Sequence, residues 1–398
     1  MTSLTMSPAT EADWPEIIGA DARAFVLPAP LPDDEIAEFR AKFPDDATFV
    51  VRDDGRIVGF SMYFVLPMTL PGGEVVPTAG LSWVAVAATH RRRGLLRRMI
   101  DAQFAAWRAA DLSVAILTAS EGTIYERFGF GPAVFAHQAR IDPSAVVFRR
   151  QAPEDSRVRY GTPDEIATRA PEIHARWAAQ HPGAIGRPDT WWPSIFADRT
   201  FRRNSQTSGL HYLLHADGYA SYRTDARNHS ATVEDFVAVT TQAHDDLWRV
   251  LTGLDLITSI DAAIPVDDTL GHLLTDSRAV SVTGRPDTLW VSILDVVDAL
   301  SRRSYGVDGS IVLDVADTYS DRAGRYAVVV VGGRATVSRT DQAADAVLDI
   351  ATLSSIYLGG ISARELALAG RIDTTEEHLD VLARMFDVPR APFAGTFF

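Results

Sequence analysis

Three arginines and a glycine, Arg91-Arg92-Arg93-Gly94, separate the apolar run Leu81-Ser82-Trp83-Val84-Ala85-Val86 from a segment with apolar residues at Leu95, Leu96, Met99, Ile100, Phe104 and Trp107. That spacing predicts a buried strand, a loop and an amphipathic helix. The first turn of a helix carries N–H groups without intrahelical partners and the positive end of the peptide dipoles. A helix opened by arginines is therefore suited to an anion. Gly94 lets the backbone approach that anion with no Cβ in the way. The chemistry on offer is a pyrophosphate cradle. It is not a nucleotide P-loop, because no Gly-Lys-Ser/Thr follows, and the three-glycine dinucleotide fingerprint is missing.

Beyond the helix, Leu112 to Ser120 reads as a second buried strand ending in Glu121-Gly122-Thr123. A short helix with Ile124, Tyr125 and Phe128 is then stopped by Gly129 and Gly131-Pro132. The spacing Arg91-x-x-Gly94 in this setting resembles the acyl-CoA site of the GNAT acetyltransferase superfamily. Leu96 stands where that superfamily usually has Gly or Ala. Whole segments go further. Leu81 to Arg97, Ala119 to Ala133, Leu210 to Arg223, Leu247 to Leu251, His272 to Arg278 and Ser355 to Gly359 resemble the enhanced intracellular survival (Eis) family over nearly the full length. Its members are actinobacterial acetyl-CoA-dependent N-acetyltransferases known for modifying aminoglycosides at several amines.

The resemblance implies that acetyl-CoA lies between the two strands. The backbone of Val84, Ala85 and Val86 would pair with the pantetheine, and Arg92, Arg93, Gly94, Leu95, Leu96 and Arg97 would hold the pyrophosphate. Ser120 and Glu121 would complete the site. Tyr125 would protonate the departing thiolate as general acid. A core tyrosine with its hydroxyl on a backbone partner is the competing reading. The chain ends in Arg390-Ala-Pro-Phe-Ala-Gly-Thr-Phe397-Phe398. By the same resemblance, the main-chain carboxylate of Phe398 is the base that relieves the attacking amine of its proton. Alternatively the two aromatics only dock the tail. An acidic residue stands at the position of Phe397 in some relatives.

The elements that must position these groups fall into three blocks. Residues 1–145 hold the catalytic GNAT unit, with a helix start at Thr10 to Trp14 and a hairpin at Thr48 to Tyr63 turning at Asp53-Asp54-Gly55. The segment Phe25 to Phe39 is expected to line the acceptor side as a loop and helix, where Asp33, Asp34, Glu35 and Glu38 are solvated helix-start carboxylates or contacts for a polyamine. In residues 146–288, Phe236 to Trp248 echoes Trp83 to Leu95, with Asp245 and Asp246 where the first copy has arginines. Carboxylates repel pyrophosphate, so this block is expected to be a degenerate GNAT-like unit walling the acceptor pocket. Residues 289–398 open with Leu289 to Leu294 and a helix from Val296 to Arg302. Strands follow at Gly309 to Val315, Gly324 to Val331 and Arg334 to Arg339, then helices from Asp341, Asp349, Ser362 and Thr374. By resemblance this is a sterol-carrier-like domain. The fold class is α/β with mixed sheets: tandem GNAT-like domains, then a sterol-carrier-like α/β domain.

Composition agrees. A chain of 398 residues, 46% hydrophobic, exceeds one core. With no cysteine there is no thiol nucleophile, thiolate metal site or disulfide, and the ten histidines show no metal-binding spacing, so no metal is expected. No run is long and apolar enough for a bilayer and the start is not a signal peptide, so the expectation is a cytoplasmic protein without stable membrane association. A net charge of −14 argues against nucleic acid and favours cationic substrates. The reaction expected is direct acetyl transfer in a ternary complex to a small-molecule amine, aminoglycoside-like or polyamine. A protein-lysine acetyltransferase and a non-catalytic lipid- or partner-binding protein are the alternatives. Family likeness implies a homohexamer.

Overall fold

The computed structural model describes residues 4–25, 32–44, 46–151, 157–199 and 206–398, without the side chains of 33–35 and 39. Pro28, Pro30 and the side chains of Asp33, Asp34 and Glu35 therefore lie outside the described residues.

The hairpin forms where the turn residues place it. Strands Thr48–Asp53 and Arg56–Thr69 meet across Asp54 and Gly55, both at positive φ. Before them, Asp13 accepts the Thr10 N–H at 2.8 Å, the capping-box bond of the 3-10 turn Glu11–Asp13 that leads into helix Trp14–Ala24. Arg56–Thr69 then pairs along most of its length with Val75–Val86. Helix Leu95–Ala109 buries Leu95, Met99, Ile100, Phe104 and Trp107, the face its spacing predicts. It also buries Gln103, which donates to the Ser61 hydroxyl at 3.0 Å. The expected short helix around Tyr125 is a single 3-10 turn, Glu126–Phe128, with Tyr125 immediately before it and Gly129 reversing the chain at φ 86°.

These strands belong to a 13-stranded sheet that runs through the first two blocks. Strand Asp287–Ile293, expected to open the last block, lies instead inside this sheet. It pairs antiparallel with Val114–Leu117 on one side and Gly131–Ile141 on the other. The echo in the middle block is structural: strand Ser230–Ala238 leads into helix Thr241–Thr252 and pairs parallel with Ser259–Pro265. Val75–Val86 pairs parallel with Val114–Leu117 in the same way.

The C-terminal block builds a separate five-stranded sheet in the order 334–339, 324–331, 309–316, 346–349, 372–374. No helix starts at Asp341. Ala346–Asp349 forms a strand parallel to Gly309–Ala316, and helix Ile350–Ile356 starts after it, capped by Asp349. This helix lies so close to strand Gly131–Ile141 that a Cβ on Gly131 would come within 2.2 Å of the Ala351 carbonyl. One apolar cluster accordingly runs from Ile17, Val50 and Phe60 into Leu313, Ile356 and Phe386, joining the first and last blocks. Among the described residues no helix is long and apolar enough to cross a membrane.

Candidate active site

The first parallel pair is hydrogen-bonded only from Ala79 to Leu81 against Ala115 to Leu117, and then the strands part. Along the free length of Val75–Val86 sits a β-bulge. Pairing with the hairpin strand passes from Met62↔Ser82 to Phe60↔Ala85, so Ser61 faces both Trp83 and Val84. A bulge leaves backbone groups out of the ladder and bends the strand. Trp83 takes φ 48°, a conformation costly for a bulky residue and one that collects at functional sites.

The bulge separates two cavities. On one side, Val84, Ala85 and Val86 line a space of about 780 Å³, together with Arg92, Gly94, Leu95, Leu96 and Arg97. Ser120, Glu121 and Tyr125 form its opposite wall. Of the sequence-predicted cofactor residues only Arg93, exposed on the same loop, is not among those lining it, whereas Arg91 is. Gly94 caps the helix at φ 75°, and a Cβ there would meet nothing within 4 Å. Backbone conformation and open approach, not packing, are what require glycine. No side chain caps this helix, so its first N–H groups face the cavity mouth uncommitted by a cap. The loop is held by His90, which itself lines the cavity and whose Nε2 lies 2.9 Å from Asp53.

Tyr125 is buried, edge-on to Phe130. Burial, then the nearby Glu121 carboxylate, push its phenol up to about 12. It stays protonated at any working pH.

On the other side of the bulge, Ser82 and Trp83 line a second cavity of about 640 Å³ with Phe43, Phe64, Trp191 and the chain end Thr396 to Phe398. Thr118, just past the second strand, donates its hydroxyl to a terminal oxygen of Phe398 at 3.0 Å. The tail is gripped by Arg187, which donates to the Gly395 carbonyl at 2.6 Å and to the Thr396 hydroxyl at 3.1 Å. Arg187 is in turn paired with buried Asp235 at 2.6 Å, and Tyr219 donates to the same carboxylate at 2.9 Å. Arg187 holds the Asp235 carboxyl below its ordinary value although burial works the other way.

Some lining residues escaped sequence reasoning. Thr318 and Tyr319, from the C-terminal block, line the larger cavity. Tyr319 donates to Asp101 at 2.5 Å and lies under the Arg97 guanidinium at 5.4 Å. Buried Arg322 fixes that loop through the carbonyls of Phe128 and Ile293. No local signal in the sequence connects position 319 to a loop more than two hundred residues earlier. The C-terminal block thus reaches both cavities, one through Tyr319 and the other through Phe398.

Parallel strands that part around a bulge, an Arg/Gly loop opening a helix at the cleft, and a repeat of the same topology define a GNAT acetyltransferase in tandem form. Comparison with known proteins agrees. Residues 5–133 and 183–291 each match an acetyltransferase (GNAT) domain, and residues 296–395 a sterol carrier protein domain. The chain is 39% identical to N-acetyltransferase Eis of Mycobacterium tuberculosis over 392 residues, covering 95% of each chain. It is 33% identical to an uncharacterized N-acetyltransferase of Streptomyces avermitilis over 390 residues, covering 94% and 93%. The crystal structure of Eis1 from Mycobacterium abscessus superposes with a TM-score of 0.87 at 29% identity over the whole of both chains. The chain belongs to the Eis family of N-acetyltransferases.

Proposed function

We propose that this acetyltransferase carries the acetyl group of acetyl-CoA directly to a primary amine of a small molecule. Aminoglycoside-like compounds and polyamines, acetylated at more than one position, are the acceptors its family implies. The observation that supports this most is that the two cavities share one strand and meet at its bulge.

In this reading Arg91 to Arg93 and the first turn from Gly94 to Arg97 neutralise the pyrophosphate, while Val84 to Val86 pair with the pantetheine amides. A backbone N–H freed by the bulge polarises the thioester carbonyl. The bound ammonium first gives up one proton to water. The neutral amine then attacks from the smaller cavity and a tetrahedral intermediate forms. The terminal carboxylate of Phe398, oriented by Thr118, takes the proton that the nitrogen sheds once the C–N bond has formed. An α-carboxyl of ordinary pKa about 3.5 is a weak base, so its service is to an amine already acidified by attack. Tyr125 donates a hydrogen bond to the departing sulfur. Full proton transfer from a phenol near 12 to a thiolate of about 8.5 runs uphill, so stabilisation of the leaving thiolate is its main contribution. With no cysteine in the chain and no partner base evident for Ser120, a covalent acyl-enzyme is disfavoured.

The test is acetyl-CoA turnover against aminoglycosides, polyamines, lysine peptides and amino acids, with Tyr125→Phe and a chain lacking Phe398 beside the parent. Amine acetylation lost in both variants is the expected result, and tight acetyl-CoA binding without turnover of any amine overturns it. The assembly proposed is a cytoplasmic homohexamer, for which light scattering should return six chains of 43.4 kDa.

A further inference from the structure

Among the described residues, the side-chain charges that line the acceptor cavity are already answered by the protein itself. Its described lining holds three cations, Lys42, Arg187 and Arg223, against two side-chain carboxylates, Glu234 and Asp235. Asp235 is engaged by both nitrogens of Arg187, at 2.6 and 3.1 Å. Glu234 lies 3.4 Å from Arg223, which also reaches Asp198. Lys42 lies 3.9 Å from Glu38. Among the described residues, the lining anion with no cation within ion-pair distance is the terminal carboxylate of Phe398, which accepts only the neutral Thr118 hydroxyl. A second or third ammonium entering this space would have to displace a guanidinium from a buried pair, leaving a desolvated cation behind.

What the cavity offers instead is aromatic surface. Phe43 meets Trp83 at 4.4 Å and Phe64 at 5.7 Å between ring centroids, and Phe64 stands edge-on to Trp191 at 5.0 Å. Ile195 and Leu210 extend that wall. Phe397 lines the same cavity while 85% exposed, a large apolar side chain left in water where a ligand would cover it.

We infer that the acceptor carries one ammonium on an aromatic or otherwise apolar body, and that polycations are the poorer substrates. The Phe398 carboxylate, the one unanswered among the described residues, takes the ammonium, and the aromatic wall takes the body. This rests on the N-acetyltransferase reading above and departs from the aminoglycoside and polyamine acceptors that family likeness implies.

The experiment is kcat/KM for CoA release with phenylethylamine, hexylamine, spermidine and kanamycin, at low and at physiological ionic strength, with acetyl-CoA binding measured by calorimetry in parallel. Phenylethylamine should exceed spermidine by about 10-fold or more, with little dependence on salt. Spermidine or kanamycin equal to or better than phenylethylamine overturns the inference and leaves the transferase reading standing. Acetyl-CoA binding with no amine turned over removes both. In Phe397→Glu, a carboxylate added to the lining should move the spermidine-to-phenylethylamine ratio by about 10-fold towards spermidine. An unchanged ratio means the penultimate side chain does not face the acceptor and also overturns the inference.

Discussion

The molecule contains the same parting of parallel strands twice, with opposite results. In the first unit the strands separate after Ala79–Leu81 and Ala115–Leu117; in the second, after Ser230–Thr232 and Ser259–Asp261. The first cleft opens on about 780 Å³ fringed by arginines, and its helix start has no side-chain cap. The second leaves only about 360 Å³. There Thr240 caps the helix by accepting from the Ala243 N–H at 3.2 Å, and Asp245 is tied to Arg249 at 3.1 Å. The chain's own tail closes this cleft: Pro389, Arg390 and Phe393 line it, the Ala391 N–H donates to Asp267 at 2.8 Å, and Arg390 donates to His181 at 2.9 Å. From Thr396 to Phe398 the tail then lines the cavity on the other side of the bulge. One backbone geometry serves in one place as an open cleft fringed by arginines and in the other as a clasp for a chain end. The choice is made by a handful of side chains at the helix start.

The largest effect expected at the first cleft is on chemistry. Tyr125→Phe should lower kcat by about 10²- to 10³-fold with the KM for acetyl-CoA nearly unchanged. Because the phenol lies near 12, the parent should show no loss of rate from its ionisation below about pH 10. A variant that keeps more than about half the parent kcat removes Tyr125 from the reaction. Next is Gly94→Asp, which puts a side chain at φ 75° and a carboxylate into the cradle. The KM for acetyl-CoA should rise by about 10- to 100-fold. The reciprocal change, Asp245→Arg, should create no CoA binding in calorimetry, because Thr240 and the tail already occupy that site. Measurable binding at the second cleft would break the comparison.

A smaller effect belongs to the clasp. Asp267→Ala removes the acceptor of the Ala391 N–H, and the loosened tail should cost about 3- to 10-fold in kcat while acetyl-CoA affinity holds. Carboxypeptidase should release Phe398 faster from this variant than from the parent. Equal release rates together with a parent-like kcat would show that the second cleft does not position the tail. Acid should do little here. His181 engages the Trp177 carbonyl through Nδ1 and accepts from Arg390 through Nε2, and burial pulls it down to about 4, so the pair persists until the pH approaches that value.

The first cleft was legible because its signals are local. Gly94 marks a helix start, the spacing from Leu95 to Trp107 marks one buried face, and Asp54-Gly55 marks a turn; each speaks for its own neighbourhood. Val84 to Val86, Ser120, Glu121 and Tyr125 reach the same cavity because they sit on elements read in that way. What was not legible depends on partners far along the chain. Leu289 to Leu294 stood out only as the apolar opening of the last block, and its neighbours Val114–Leu117 and Gly131–Ile141 determine that it is a strand and where it goes. Ala346–Asp349 is extended because Gly309–Ala316 lies beside it, and the polar, Ala-rich stretch from Asp341 gives no hint of that partner. Tyr319 reaches the larger cavity, with Arg322 fixing its loop, through tertiary packing alone.

The comparison also extends to what each unit buries in its first long helix, and there the expected effect is on stability. Helix Trp14–Ala24 buries Asp21, one of whose oxygens has no hydrogen-bond partner among the described residues, and burial pushes its carboxyl up to about 7. Helix Pro163–Ala178 buries His174, and burial, followed by the charge of Arg187, pulls its imidazole down to about 3. The two act in opposite directions. For Asp21 the unfolded chain ionises near 3.8 and the folded one near 7, so folding is unpenalised below about pH 4, weakens as pH rises towards 7, and stays weakened above it. For His174 the unfolded chain takes its proton near 6.5 and the folded one near 3, so stability is whole above 6.5 and declines as pH falls towards 3. Asp21→Asn should therefore raise the Tm at pH 8, by an amount corresponding to about a few kcal/mol at most, and leave it unchanged at pH 4. His174→Gln should do the reverse, flattening the loss of stability between pH 6 and 4 and changing little at pH 8. Thermal unfolding of both variants across that range decides the matter. If Asp21→Asn lowers the Tm at pH 8, the buried carboxylate is held by something that favours its charge, and the assignment of the alkaline weakness to the first unit fails.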